Sequence, residues 1–333
     1  MQNTTITTTL DALQPPTYLI TGGTGSFGSA FASRLLSDAL GPRIRIFSRD
    51  EHKQDAMQSA CPVGPRLTYI IGDVRDERAI TRATDNCQVV VHAAALKIVR
   101  QGERHASEFA KTNIIGTGNV CGAAITNRVP KSILISSDKA VQPINHYGKS
   151  KATAEGIFIE ANNLGVSRNC LFSVVRGGNV WASRGSVVEA WRAAVERGEM
   201  IEITDPDATR FYLRMSEWTA FCQRAINEMR GGEIFVPKLR AWRLHDLAEA
   251  FGGHIMNNGR RQGDKRHESM IAADEIYRTI DIGWAYVIEP SPEFRQVWNY
   301  QSREREGTRL GNGFSYSSDM ADRMSVEELR ALI

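Results

Sequence analysis

The sequence predicts an α/β protein, a Rossmann-type parallel sheet with helices on both faces, plus a smaller α/β substrate-binding region in the C-terminal half. Three observations predict it. Strand-like apolar runs alternate with helix-period segments through the first 176 residues, the rhythm of strand–helix–strand units. A glycine-rich turn follows the first apolar run directly and opens a helical pattern. The chain has 333 residues, 42% hydrophobic and 24% charged, which suits one large α/β unit or two domains with ample core.

The elements follow in order. "TYLIT" (17–21) is the first strand and "SAFASRLLSDAL" the helix after the turn. "RIRIFS" (43–48) and "LTYIIG" (67–72) read as the second and third strands. "ERAITRAT" fits a helix, and "QVVVHAAA" (88–95) a fourth strand. A long helical pattern, about 106–127, leads to "KSILISS" (131–137). From Tyr147 to about Asn163 the chain reads as helix, and "CLFSVVR" (170–176) as strand. Beyond Arg176 the rhythm loosens. The expected division is a Thr-rich flexible tail (1–16), a cofactor-binding Rossmann domain (17–176) and a mostly substrate-binding region (177–333) with segments returning to the core. The stretch 301–313, "QSREREGTRLGNG", reads as an exposed loop before a last helix, "SVEELRALI".

Composition narrows the function. A net charge of +3 is too small to imply nucleic acid. No apolar run nears the roughly 20 residues needed to span a bilayer, and the N-terminus lacks the basic and apolar regions of a signal peptide. Cys61, Cys87, Cys121, Cys170 and Cys222 form no C-x-x-C and are odd in number. Buried reduced thiols in a cytoplasmic protein are the natural reading. No histidine pair has metal-ligand spacing, so no metal is expected. Hydrolase signatures such as G-x-S-x-G are absent.

The turn runs Gly22-Gly23-Thr24-Gly25-Ser26-Phe27-Gly28. Glycines at 22, 25 and 28 permit a tight turn and let backbone N–H groups approach a diphosphate at a helix N-terminus. A nicotinamide dinucleotide is therefore expected. The second strand ends in Ser48-Arg49-Asp50, with Arg49 21 residues past Gly28 and Lys53 nearby. An arginine there accommodates a 2′-phosphate, so the cofactor reads as NADP; the alternative makes Asp50 the ribose ligand and Arg49 a surface charge. Asp73 and Val74, after the third strand, are placed to meet the adenine. The small Ala93, Ala94 and Ala95 let the cofactor lie close to the fourth strand.

"ISSDKAVQPINHYGKSK" (135–151) gathers proton-handling groups. Tyr147 and Lys151 are four apart in a helical pattern and share a face. A lysine ammonium beside the phenol would lower its pKa, so that it can take a proton from a substrate hydroxyl. Ser137, at a strand end, can bond the same oxygen. The neighbouring Asp138-Lys139 is an acid next to an amine; it is either further chemistry or a polar turn.

The glycine loop, Ser137, Tyr147 and Lys151 resemble those of the extended short-chain dehydrogenase/reductases. "SRDE", "HAAALK", "KTNIIGTGNV", "SSDKAVQPINHYGKSK", "SRGSV", "DPDATRF" and "GDKRHE" narrow the resemblance. Together they are similar to the nucleotide-sugar 4,6-dehydratases that act on UDP-N-acetylglucosamine, of the C5-inverting type. The resemblance implies NADP-dependent oxidation at C4, loss of water across C5–C6 and return of hydride to C6. It implies Asp138 and Lys139 as acid and base of the elimination, with Lys139 the expected C5 base, its pKa lowered, and that of Asp138 raised. On the substrate side it implies Lys97, Asn179, the Ser183-Arg184-Gly185-Ser186 loop, Arg210, Arg261 and Glu268. Gly177 stands where the family has an aromatic residue, which predicts a looser pocket wall. The basic run 260–268 would otherwise read as a solvated loop. A homo-oligomer is also expected. The alternatives are a 4-epimerase of the same sugar nucleotide, which needs no elimination pair, and a non-catalytic NADP sensor on the same fold.

Overall fold

A computed structural model describes residues 15–60, 64–183, 185–311 and 313–333. The tail before Pro15, Cys61 and Arg184 lie outside them. Six parallel strands form the sheet's frame: β1 (Thr17–Thr21), β2 (Arg43–Ser48), β3 (Leu67–Ile71), β4 (Val89–His92), β5 (Lys131–Ser137) and β6 (Leu171–Gly177). Their spatial order is β3-β2-β1-β4-β5-β6. The direction of winding reverses between β1 and β4, so a crevice opens there beyond the strands' carboxyl ends.

Four later strands extend the sheet. Ile234–Pro237 lies parallel to β6, and Ala285–Ile288, Thr279–Asp281 and Thr308–Arg309 follow antiparallel. Alternate residues of the strands enter two different cores. Leu19, Val90, Leu134 and Val174 pack on one side; Ile20, Val91, Ile133 and Val175 pack on the other. Near-continuous apolar strands are what burial on both faces demands. A third core, with Trp191, Ile201, Trp242, Leu247 and Leu329, belongs to segments of the second half.

Three expectations need correction. The fourth strand stops at His92, the last of its residues that pairs with either β1 or β5. The helical pattern 106–127 is interrupted by a π-helical turn, Ala110–Ile115, between Ala106–Phe109 and Gly116–Thr126. Asn113 lies in that wide turn and pins the segment after β4. Its amide accepts from Leu96 N (2.8 Å) and donates to Leu96 O and Ser150 Oγ (both 2.9 Å). The stretch 301–313 is not simply an exposed loop: Arg303 is 2% exposed and 3.3 Å from the buried Glu233, and Thr308–Arg309 joins the sheet edge. Among the described residues, no helix is long and apolar enough to cross a membrane.

Candidate active site

A cleft of about 1620 Å³ runs along the carboxyl ends of β1 to β6 and under the second half. The glycine loop forms one end. Gly22 has φ +66°, and a Cβ there would stand 2.8 Å from the backbone of Ala94. The loop can lie on residues 93–94 only because that atom is missing. Gly22 N donates to Phe47 O (2.8 Å) and Gly25 N to Gly22 O (2.9 Å), closing the turn. The helix Ser26–Leu36 then starts at Gly25; among the described residues no side chain caps it. Its first N–H groups are therefore available to an anion in the cleft. Thr24, Ser26, Phe27, Gly28, Ala93, Ala94 and Ala95 share this wall.

Ser48, Arg49, Asp50, Lys53, Asp73 and Val74 close the same end. Asp50 is engaged by Lys53, accepting from its backbone N (3.0 Å) and pairing with its Nζ (2.6 Å). Arg49 is half-exposed, with Nη1 3.6 Å from Asp73 Oδ2; Arg75 holds the same oxygen at 2.7 Å.

The proton-handling groups come from two adjoining elements. β5 ends at Ser137, whose Oγ accepts from Lys139 N (3.2 Å) and donates to Asp138 Oδ1 (2.6 Å). That cap starts the 3₁₀ turn Asp138–Ala140. Asn145 caps the helix His146–Glu160, accepting from Gly148 N at 2.8 Å. Gly148 lets this helix touch the 3₁₀ turn, since a Cβ there would be 2.2 Å from Lys139 O. Tyr147 and Lys151 thus reach the cleft one turn apart. Tyr147 and Ser137 line the same part of the cleft, and Lys151 Nζ donates to Ile135 O at 2.8 Å.

Electrostatics here depart from expectation in two places. Burial raises the Tyr147 phenol above its ordinary value, and the cation that opposes this most is Lys139 rather than Lys151. Burial brings Lys151 down to about 8, with Glu155 opposing. Asp138 is raised by burial, as expected, against the pull of Lys139. Lys139 was expected to be lowered. Burial does push its ammonium down, but Asp138 and Glu268 outweigh that and hold it above its ordinary value.

A buried ion cluster holds these elements in place. Arg176, near the end of β6, is forked onto Glu155 of the tyrosine helix (2.7 and 3.1 Å) and onto Glu275 (both 2.7 Å). Glu155 also accepts from Ser136 Oγ of β5 at 2.5 Å. One guanidinium therefore ties β5, β6 and the helix carrying Tyr147 together.

On the substrate side, Lys97, Asn179, Ser183, Gly185, Ser186, Arg210 and Arg261 line the cleft; Arg184 lies outside the described residues. Ser186 caps the helix Val187–Glu196, and Gly185 N donates to Glu189 Oε2 at 2.7 Å. Arg261 is 48% exposed, 3.9 Å from Glu202. Three expectations change. Gly177 does not loosen the wall, because the Trp218 ring lies 2.8 Å from where its Cβ would be and fills that space. Arg210 spends its terminal nitrogens on the carbonyls of Thr209, Lys265 and Arg266 (2.7–3.0 Å). Glu268 does not line the cleft; it is 2% exposed, 3.2 Å from Lys139 Nζ on the protein side. Sequence reasoning missed the aromatic wall of Trp181, Trp191, Trp218 and Trp242. All six tryptophans fall after residue 180, a composition shift that points to this half as the aromatic side of a pocket.

A family profile described as polysaccharide biosynthesis protein matches residues 18–290. The chain is 39% identical over 307 residues to a UDP-N-acetylglucosamine 4,6-dehydratase (inverting) of Campylobacter jejuni subsp. jejuni serotype O:2, covering 90% of this chain and 92% of that one. It is 38% identical over 327 residues to a UDP-glucose 4-epimerase of Rickettsia akari, covering 95% of each. The solved structure of Pen from Bacillus thuringiensis superposes with a TM-score of 0.86 at 33% identity, over 96% of this chain and 98% of that one.

Proposed function

Because the chain belongs to the polysaccharide biosynthesis protein family, we propose that it is an NADP-dependent UDP-N-acetylglucosamine 4,6-dehydratase, a lyase that yields a 4-keto-6-deoxy sugar nucleotide. The observation that carries this reading is the Asp138–Lys139 pair, its carboxylate buried and its amine partly exposed at the cleft, 3.2 Å apart and on the same wall as Ser137 and Tyr147. An oxidation or a 4-epimerisation needs the tyrosine, lysine and serine. It has no use for a second acid and amine. The pair is what favours dehydration over 4-epimerisation in this chain.

The glycine loop and the uncapped start of its helix fit a dinucleotide diphosphate. Ser48 and the half-exposed Arg49 suit a ribose 2′-phosphate, while Asp50 and Lys53 are paired with each other. A nicotinamide bound there supplies a hydride acceptor for C4 and a donor for C6. Tyr147 must act as its phenolate, the form that the Lys139 ammonium favours against burial, and in that form it takes the O4 proton. The C4 ketone makes the C5 proton acidic. Asp138 and Lys139 share a proton between them, and the form with neutral acid and neutral amine is the one elimination uses. In that form Lys139 takes the C5 proton and Asp138 protonates the departing O6 hydroxyl. Arg261, Ser183, Gly185 and Ser186 would face the UDP moiety. The division at residue 176, a cytoplasmic location and a homo-oligomer belong to the same proposal.

Two substitutions test it. Tyr147→Phe is expected to stop every step. Lys139→Ala is expected to leave C4 oxidation detectable, by absorbance of the reduced nicotinamide, while water loss slows by about 10²–10⁴-fold, the usual worth of a positioned general base. Lys139→Ala dehydrating at the wild-type rate would overturn the reading. The dinucleotide released on denaturing the purified protein is expected to be NADP; NAD would reverse the cofactor assignment alone.

A further inference from the structure

We infer that Glu268 is a positioning residue for the elimination pair: its carboxylate fixes the Lys139 side chain beside Asp138, and Lys265 on its far side governs how much of that carboxylate Lys139 receives. The inference rests on the dehydratase reading above.

The geometry is a chain of alternating charge in which the two carboxylates are buried and the two ammoniums partly exposed. Lys139 Nζ lies 3.2 Å from Asp138 Oδ1 and 3.2 Å from Glu268 Oε1. Glu268 Oε2 lies 3.6 Å from Lys265 Nζ, which also donates to Val141 O at 2.5 Å. Arg210 Nε stands 3.9 Å from Glu268 Oε1. The glutamate is fixed at its own backbone too, where its N–H donates to Ser318 Oγ at 2.9 Å. Glu268 is buried on the side of Lys139 away from the cleft. It therefore holds the lysine without touching a ligand in the cleft. A long lysine side chain has several rotamers, and a second anion at contact distance removes most of them.

The groups facing Lys139 are Asp138, Glu268, Arg210 and Tyr147; Lys265 faces Glu268 and, more weakly, Asp138 and Lys139. Glu268 favours the protonated form of both Lys139 and Asp138. Proton abstraction at C5 needs the deprotonated base, whichever member of the pair supplies it. Removing the glutamate's charge must then move the rising limb of the pH profile to lower pH. Removing the Lys265 charge must move it the other way, since the remaining carboxylate turns wholly to Lys139.

The experiment isolates the 4-keto product made by the wild-type enzyme and measures enzyme-catalysed deuterium entry at C5 in D2O across pD. Glu268→Gln is expected to lower the midpoint by about 1–3 units, the range for one charge at contact distance, and Glu268→Asp to keep it near wild type. Lys265→Met is expected to raise it. Opposite shifts cannot come from general loosening of the fold. An unchanged midpoint in both variants, or a raised KM as the sole effect of Glu268→Gln, overturns the inference and makes Glu268 structural or substrate-binding. If Glu268→Gln does not fold, Lys265→Met decides by its direction alone. A wild type that neither dehydrates nor exchanges C5 overturns the dehydratase reading itself, a result distinct from unshifted variants of an active enzyme.

Discussion

Lys139 meets two carboxylates because two separate pieces of chain meet there, and only one of them is local in sequence. Asp138 is its neighbour; Glu268 arrives from a distant segment. The same holds for the arginines. Arg210 and Arg261 look alike in sequence, yet one is bonded to main-chain carbonyls and the other is half-exposed at the cleft. Their substitutions should therefore differ. Arg261→Lys is expected to weaken UDP binding, measured by calorimetry, with stability unchanged, since lysine loses the paired hydrogen bonds that a guanidinium gives phosphate. Arg210→Lys is expected to lower stability by about 1.5–3 kcal/mol, read from the urea midpoint, because charged hydrogen bonds to the 265–266 carbonyls are lost. Equal effects of both variants on UDP affinity would show that the two arginines share one ligand. Tyr147 and Lys151 were legible because four-residue spacing on a helix is a local rule. The Glu268 contact and the Trp218 plug over Gly177 were not, because each depends on how distant elements pack.

At the scale of elements, the site depends on the buried Arg176 cluster that joins β5, β6 and the tyrosine helix. Arg176→Met leaves Glu155 and Glu275 as buried charges without their partner. Stability is expected to fall by about 3–5 kcal/mol. Adding Glu155→Gln and Glu275→Gln should recover part of that loss, because the stranded charges are then gone. Denaturant midpoints of the single and triple variants measure both effects; a single variant within 1 kcal/mol of wild type, on the order of an exposed pair, would remove the cluster's structural role. The sequence's periodicity located β1, β2, β5 and the helix Glu77–Thr84 at their observed bounds. It overran at 88–95, where alanines continue an apolar run past the last ladder partner. It missed the π-helical turn, in which an asparagine amide reaches Leu96. It also read 301–313 as solvent-facing, since composition alone cannot tell a paired buried arginine from a surface one.

For the whole molecule, the sheet's reversal between β1 and β4 places the glycine loop and the proton-handling groups on one cleft. The second half closes that cleft with tryptophans and arginines. The parallel half was legible from alternation and the glycine loop. The way later strands rejoin the sheet was not, because two- and three-residue strands carry no period to read. The central claim is that this cleft removes water across C5–C6 after oxidation at C4. Incubation of the wild-type protein with UDP-N-acetylglucosamine in D2O, followed by mass spectrometry and NMR, tests it most directly. The account predicts a sugar nucleotide lighter by one water, deuterated at C5, with a methyl group at C6. A product of unchanged composition, epimerised at C4 and carrying no deuterium at C5, would contradict it.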